Sequence, residues 1–256
     1  MQLQEITEII EMRYPRTYAC SWDNSGLQVG DRCQEVERVY VALDPTEKTI
    51  KAAREAGAQL LLTHHPLLFD SIRQVTTDTV SGRRVMALLA AGMSCYSMHT
   101  NYDVLGLADL AADRLGLTER RVLEEVYAGE GIGRVGLLPK TMSVEECARL
   151  VRERFDLPNV KVFGDTKAQV RCAALSPGAG KSMAGAARAS RAEVLITGDI
   201  DHHTGIDLWD AGIAVIDAGH YGIEHIYVED LRRFLEESCP KLSVITAPVE
   251  QPFVVL

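Results

Sequence analysis

Short apolar runs that end in histidine or aspartate, separated by amphipathic stretches of helical length, recur along this chain and restrict it to a layered α/β fold. Val36–Leu43, Gln59–Thr63, Met93–Met98, Glu193–Thr197 and Ile213–Asp217 read as buried strands. Between them lie helix-length segments, such as the one closed by Gly57 and another running from Arg83 to Ala91 and stopped by Gly92. Such alternation predicts mostly parallel sheets flanked by helices, with ligand groups gathered just beyond the carboxyl ends of the strands. The polar clusters sit there: His64-His65-Pro66, His99-Thr100-Asn101-Tyr102-Asp103, Gly198-Asp199 and Ala218-Gly219-His220.

Local signals add detail. Leu3, Ile6, Ile9 and Ile10 mark an opening amphipathic helix. Asp44-Pro45-Thr46-Glu47 reads as a helix start with Asp44 as N-cap, and Ser143-Val144-Glu145-Glu146 as a capping box opening a helix to about Phe155. A helix is expected over Leu105–Leu115, while His99–Asp103 carries no helical pattern. Strands are expected near Val160–Phe163, Val170–Leu175 and Leu242–Ile245, and a long helix near Ile223–Glu237. The charged stretch Thr118–Glu125 interrupts the alternation, so any domain boundary falls softly near 118–130.

The 36 acids against 27 Lys and Arg give a formal charge of −9, which opposes non-specific nucleic-acid binding. Six scattered cysteines form neither a disulfide framework nor a thiolate metal site. The N-terminus lacks a secretory pattern, and the uncharged run from Val85 to Tyr102 is too interrupted to span a membrane. A cytoplasmic protein without membrane partners is the expectation.

Histidines and carboxylates at strand ends are the donor set of a dinuclear metal site. His220 and Glu224, at i and i+4, share a face if the last long helix begins near Gly219, although a surface ion pair has the same spacing. Neighbours on a strand point to opposite faces, so His64 and His65 can act together only if they lie in the turn beyond it; otherwise one is buried and one exposed. His99 reads equally as a packed histidine or as a supporting group, and His202-His203 as exposed residues of an acidic helix start rather than as a second metal site. Ser176-Pro177-Gly178-Ala179-Gly180-Lys181-Ser182 has leucine, Leu175, where a phosphate loop requires glycine, and is read as a plain glycine-rich turn.

Five blocks in order, W-D-N-S-G-L-Q-V-G (Trp22 to Gly30), L-L-T-H-H-P-L-L-F (Leu61 to Phe69), H-T-N-Y-D (His99 to Asp103), I-T-G-D (Ile196 to Asp199) and G-H-Y-G-I-E (Gly219 to Glu224), make the chain resemble the Nif-three-like (YbgI/YqfO) family. Its members are often described as homologues of a type 2 GTP cyclohydrolase I. The resemblance runs end to end and matches the short form without an inserted central domain. It implies two similar α/β lobes with mixed, mostly parallel sheets flanked by helices: residues 1–125 with the H-H-P and H-T-N-Y-D motifs, and 126–256 with G-H-Y-G-I-E, forming one compact unit around a shared metal site. It further implies a toroidal homohexamer holding two divalent ions per subunit (Zn, Fe, Mn or Ni). The implied ligands are His65, Asp103 and Glu224 for one ion and His64, His220 and Glu224 for the other, with Glu224 bridging. Apart from the resemblance, His99 is expected in a supporting position where it relays a proton or orients a ligand, with Asp23 or Asp199 near the pocket, roles that the spacing does not itself give. The activity implied is metal-dependent hydrolysis of a small molecule through an activated water, GTP cyclohydrolase-like in one version. The alternative is a non-enzymatic metal-binding, metal-trafficking or regulatory hexamer.

Overall fold

The computed structural model describes residues 1–254 of the 256-residue chain. By internal contacts these form two units, the first made of Met1–Tyr102 and Tyr227–Glu250, the second of Asp103–Ile226 and the C-terminal residues from Gln251.

The first unit is built on a five-stranded sheet in which β1 (Gly26–Val29), β2 (Arg38–Ala42), β3 (Leu60–Thr63), β4 (Ser94–Ser97) and β11 (Ser243–Thr246) lie in the order β1-β4-β3-β2-β11. All pairings are parallel except the antiparallel β1–β4 edge. Every residue of β3 and β4 is buried, as an apolar run covered on both faces requires. On one face Leu61 and Cys95 pack with Ile50 and Ala53 of α2 (Glu47–Glu55) and with Val85 and Leu88 of α3 (Val80–Ala90). Tyr96 points the other way, and its hydroxyl donates to Glu11 of α1 (Leu3–Arg13) at 2.9 Å. Helix α1 buries Leu3, Ile6 and Ile10. The short turn α4 (Thr100–Tyr102) follows β4.

The second unit carries a six-stranded mixed sheet, β5-β6-β8-β9-β10-β7. Its strands are β5 (Thr118–Tyr127), β6 (Glu130–Ser143), β7 (Lys161–Phe163), β8 (Gln169–Ala179), β9 (Val194–Gly198) and β10 (Ala214–Asp217). The three central strands β8, β9 and β10 are parallel, and the outer pairings are antiparallel. A π turn at Asp103–Leu107 leads into α5 (Ala108–Leu115). Helix α6 (Val144–Phe155) opens with the expected capping box of Ser143 and Glu146. Helices α7 (Ala184–Ala189) and α8 (His202–Asp210) bury Ala187 and Leu208 against Leu195 and Val215. The helical region after β10 is split into α9 (His220–Glu224) and α10 (Ile226–Ser238), the latter mostly in the first unit.

Several local expectations need correction. Helix α2 is capped by Thr46, whose hydroxyl accepts from Thr49 N at 3.0 Å, because the Asp44 carboxylate is engaged by His65. Residues Thr100–Leu107, expected to start without a helical pattern, are helical throughout, passing from α4 into the π turn. The charged stretch Thr118–Glu125 is strand β5, and the hairpin to β6 turns at Ala128 and Gly129, both at positive φ. Strand β5 is largely exposed, so it shows no clean apolar alternation from which it could be read. The glycine-rich segment at Ser176 is no separate turn: it prolongs β8 to Ala179 through a register shift.

Candidate metal centre

In the first unit, β3 ends at Thr63 and the next two residues leave the strand. His64 N donates to Ala42 O at 3.3 Å and His65 N to Leu43 O at 3.0 Å. The hydroxyl of Thr63 donates to His65 O at 2.8 Å, which closes the turn. Released from strand alternation, the two rings lie 4.9 Å apart. His99, just beyond β4, is 5.3 Å from the His64 ring and 5.7 Å from that of His65. One ring nitrogen of each of the three lies within 4.8 Å of the others, so this group could hold a metal ion.

Each of these rings is oriented by an oxygen acceptor at Nδ1. His64 Nδ1 is 2.8 Å from Met98 O, His65 Nδ1 is 2.7 Å from Asp44 Oδ1, and His99 Nδ1 is 2.8 Å from Asp23 Oδ1. An acceptor at Nδ1 keeps the proton there and leaves Nε2 as the lone-pair nitrogen, the arrangement that metal-binding histidines use. Asp23 also accepts from Thr100 N at 3.0 Å, Thr100 Oγ1 at 2.6 Å and Ser25 Oγ at 2.7 Å. Burial alone would raise its pKa, but the hydrogen bonds from His99, Thr100 and Ser25 more than reverse this, holding it far below the usual carboxylate range. His64 is fully buried, and behind it Tyr227 lies 5.1 Å away with Tyr102 against Tyr227 at 4.9 Å.

In the second unit, Gly219 at φ +75 turns the chain into α9, which places His220 and Glu224 on one face. His220 Nε2 is 3.0 Å from Glu224 Oε2, and its Nδ1 is 3.0 Å from Asp199 Oδ2. The fourth histidine therefore carries the same Nδ1 acceptor pattern as the other three. Glu224 is 4% exposed, and one of its oxygens lies within 4.8 Å of a carboxylate oxygen of Asp103 at the start of the π turn. Two glycines make room for this group. A Cβ on Gly178 would lie 2.3 Å from Glu224 Oε1, and one on Gly198 would lie 2.4 Å from His220 N. His202 and His203 are exposed at the start of α8, capped by Asp201, as the plainer reading expects.

Sequence reasoning named all four histidines but misread two of their supports. Asp44 has the look of a helix cap, and Gly178 that of an ordinary turn.

An α/β protein with histidine–carboxylate groups that could hold metal ions at its strand ends is the class that this fold and these residues define. A family model for Duf34/NIF3 (NGG1p interacting factor 3) matches residues 1–252, and the chain belongs to that family. A relative from Clostridium perfringens named GTP cyclohydrolase 1 type 2 homolog is 37% identical over 228 residues, covering 88% of this chain and 87% of its own. Among solved structures, reduced HcgD from Methanocaldococcus jannaschii is 33% identical, with a TM-score of 0.84 over 96% of this chain and 97% of its own. A Bacillus cereus protein related to NIF3 has a TM-score of 0.91 at 21% identity, over 100% of this chain and 99% of its own, a likeness of fold.

Proposed function

We propose that the protein is a metal-dependent hydrolase of small molecules whose two divalent ions are held by His64, His65, Asp103, His220 and Glu224. The observation that carries this reading is the shared orientation of the histidines: an oxygen acceptor at Nδ1 fixes each ring, which leaves Nε2 as the ligating nitrogen of His64 and His65 and sets that of His220 3.0 Å from Glu224 Oε2, beside a second metal donor. Imidazole with carboxylate suits zinc, iron, manganese or nickel, and five protein ligands for two ions leave positions open, as a catalytic site requires. In the division that the family resemblance implies, Glu224 serves both ions. Bound there, the pair would polarise the scissile bond and lower the pKa of water.

The chain's own residues have separate tasks. Asp44 and Asp199 fix the rings of His65 and His220, and Gly178 leaves space for the Glu224 carboxylate. His99, held by Asp23 but outside the five ligands, orients the substrate or passes a proton at Nε2. The name shared by several relatives makes GTP the first substrate to test, with formate as the product of ring opening.

Protein purified without chelator should contain two equivalents of divalent metal. His64→Ala and His220→Ala, one from each unit, should each deplete the ion that these two histidines share in that division. Turnover of GTP, or of a phosphoester, nucleotide or peptide in a screen of Zn, Mn, Fe and Ni forms, should vanish in Glu224→Ala. Metal-loaded protein that turns over nothing, with variants that lose only their assembly, would overturn the hydrolase reading.

A further inference from the structure

The motif from Trp22 to Gly30 is almost wholly accounted for by structure, and its first residue is the exception. Asp23 anchors His99 and Thr100, and Ser25 bridges Asp23 and Asn101 at 2.7 and 3.0 Å. Gly26 adopts φ +118 at the start of β1. Asn24 Nδ2 donates to Leu68 O at 2.5 Å, and Gln28 Oε1 accepts from Leu68 N at 2.9 Å. These last two bonds tie the loop carrying Trp22 to the loop carrying Phe69. The rings on this tied mount remain out in solvent, with Trp22 58% and Phe69 53% exposed.

Their arrangement is specific. The two centroids are 5.8 Å apart with the planes tilted at 47°, and each ring meets the His99 imidazole edge-on, at 5.9 Å for Trp22 and 6.3 Å for Phe69. We infer that Trp22 and Phe69 form a stacking platform for a planar nitrogen heteroaromatic ring of the substrate, whose edge is turned toward His99. This deepens the hydrolase reading and rests on it. Aromatic faces recognise a ring by stacking, and the polar imidazole beside them selects a ring with polar atoms on its edge over a hydrocarbon. Because the two loops are already bonded together, little ordering cost opposes binding.

The chain has two tryptophans, so Trp209→Phe leaves Trp22 as the only one and makes its fluorescence a direct reporter. Guanosine is the probe, and ribose the control without a ring. We expect saturable quenching by guanosine and none by ribose. Phe69→Ala and Phe69→Leu should weaken guanosine at least about tenfold, and Phe69→Tyr should restore it. Thermal unfolding checks that each variant is folded. His64→Ala, which disables the proposed metal centre, should leave quenching intact, so loss of metal or turnover with quenching preserved counts against the hydrolase reading and not against the platform. The platform is overturned if guanosine fails to quench folded Trp209→Phe protein saturably, or if Phe69→Ala leaves the quenching unchanged. It is also overturned, in favour of a contact between copies of the chain, if Phe69→Ala lowers the sedimenting mass while guanosine does not quench.

Discussion

Asp23 shows how much of this protein is invested in aiming single side chains. Its buried carboxylate gathers donors from His99, Thr100 and Ser25, and Asp23→Ala would leave them without an acceptor, at a cost of about 1–3 kcal/mol. Because the folded pKa is depressed, ionised Asp23 contributes its full stabilisation above the unfolded carboxylate value of about 4 and loses it as pH falls below that toward the folded value. Urea denaturation at about pH 7 and pH 3 should therefore show the advantage of wild type over Asp23→Asn shrinking at the lower pH. A persistent gap would mean that the carboxylate's charge is not what matters. Gly178 is the second such position. At φ +77 and with Glu224 Oε1 only 2.3 Å from where a Cβ would stand, Gly178→Ala should cost about 1–3 kcal/mol and displace Glu224. Metal analysis should find the variant depleted. Gly185→Ala, in α7 with open space around it, serves as the control and should be neutral or stabilising by up to about 1 kcal/mol.

At the scale of elements, Arg134 of β6 holds the second unit's sheet to α5. It is 4% exposed and grips Asp109 through Nε at 2.8 Å and Nη2 at 2.7 Å, while Nη1 donates to Gly131 O and Gly133 O at 2.9 Å each. Removing the acid leaves the buried cation with only the more distant carboxylate of Glu130, 3.5 Å from Nη2. Asp109→Ala should thus destabilise by about 1–3 kcal/mol, the lower part of the range for buried pairs because Asp109 is itself half-exposed. Chemical denaturation should show it, and Arg134→Met with Asp109→Ala should recover part of the loss. Helix α6 and the five strands first expected were legible because capping boxes and apolar runs are local. Strand β5 was not, because a largely exposed edge strand with charges on both faces carries no periodic signal; its place is set by pairing with β6.

For the whole molecule, a net charge of −9 leaves an acidic chain that gains from binding cations. Metal that binds the folded state alone, at about a hundred times its Kd, would add about 2.7 kcal/mol and raise Tm by roughly 5–10 °C for a chain of this size. Scanning calorimetry of chelated and zinc- or manganese-loaded protein should show this rise, and an unchanged Tm would count against a bound pair of ions. Sedimentation of the same samples tests the hexamer that the family resemblance implies. Among the described residues, no helix is long and apolar enough to cross a membrane. By itself the sequence determined the α/β class and the family, and it named the candidate donor residues, since apolar periodicity, capping residues and motif order are written in neighbouring positions. The tertiary structure alone decided that His64 and His65 share a turn and that Asp44 serves an imidazole. It also decided that Gly178 yields its space to Glu224. Each of these depends on atoms that meet only when separate strands have paired, and no spacing along a chain encodes a distance across a sheet.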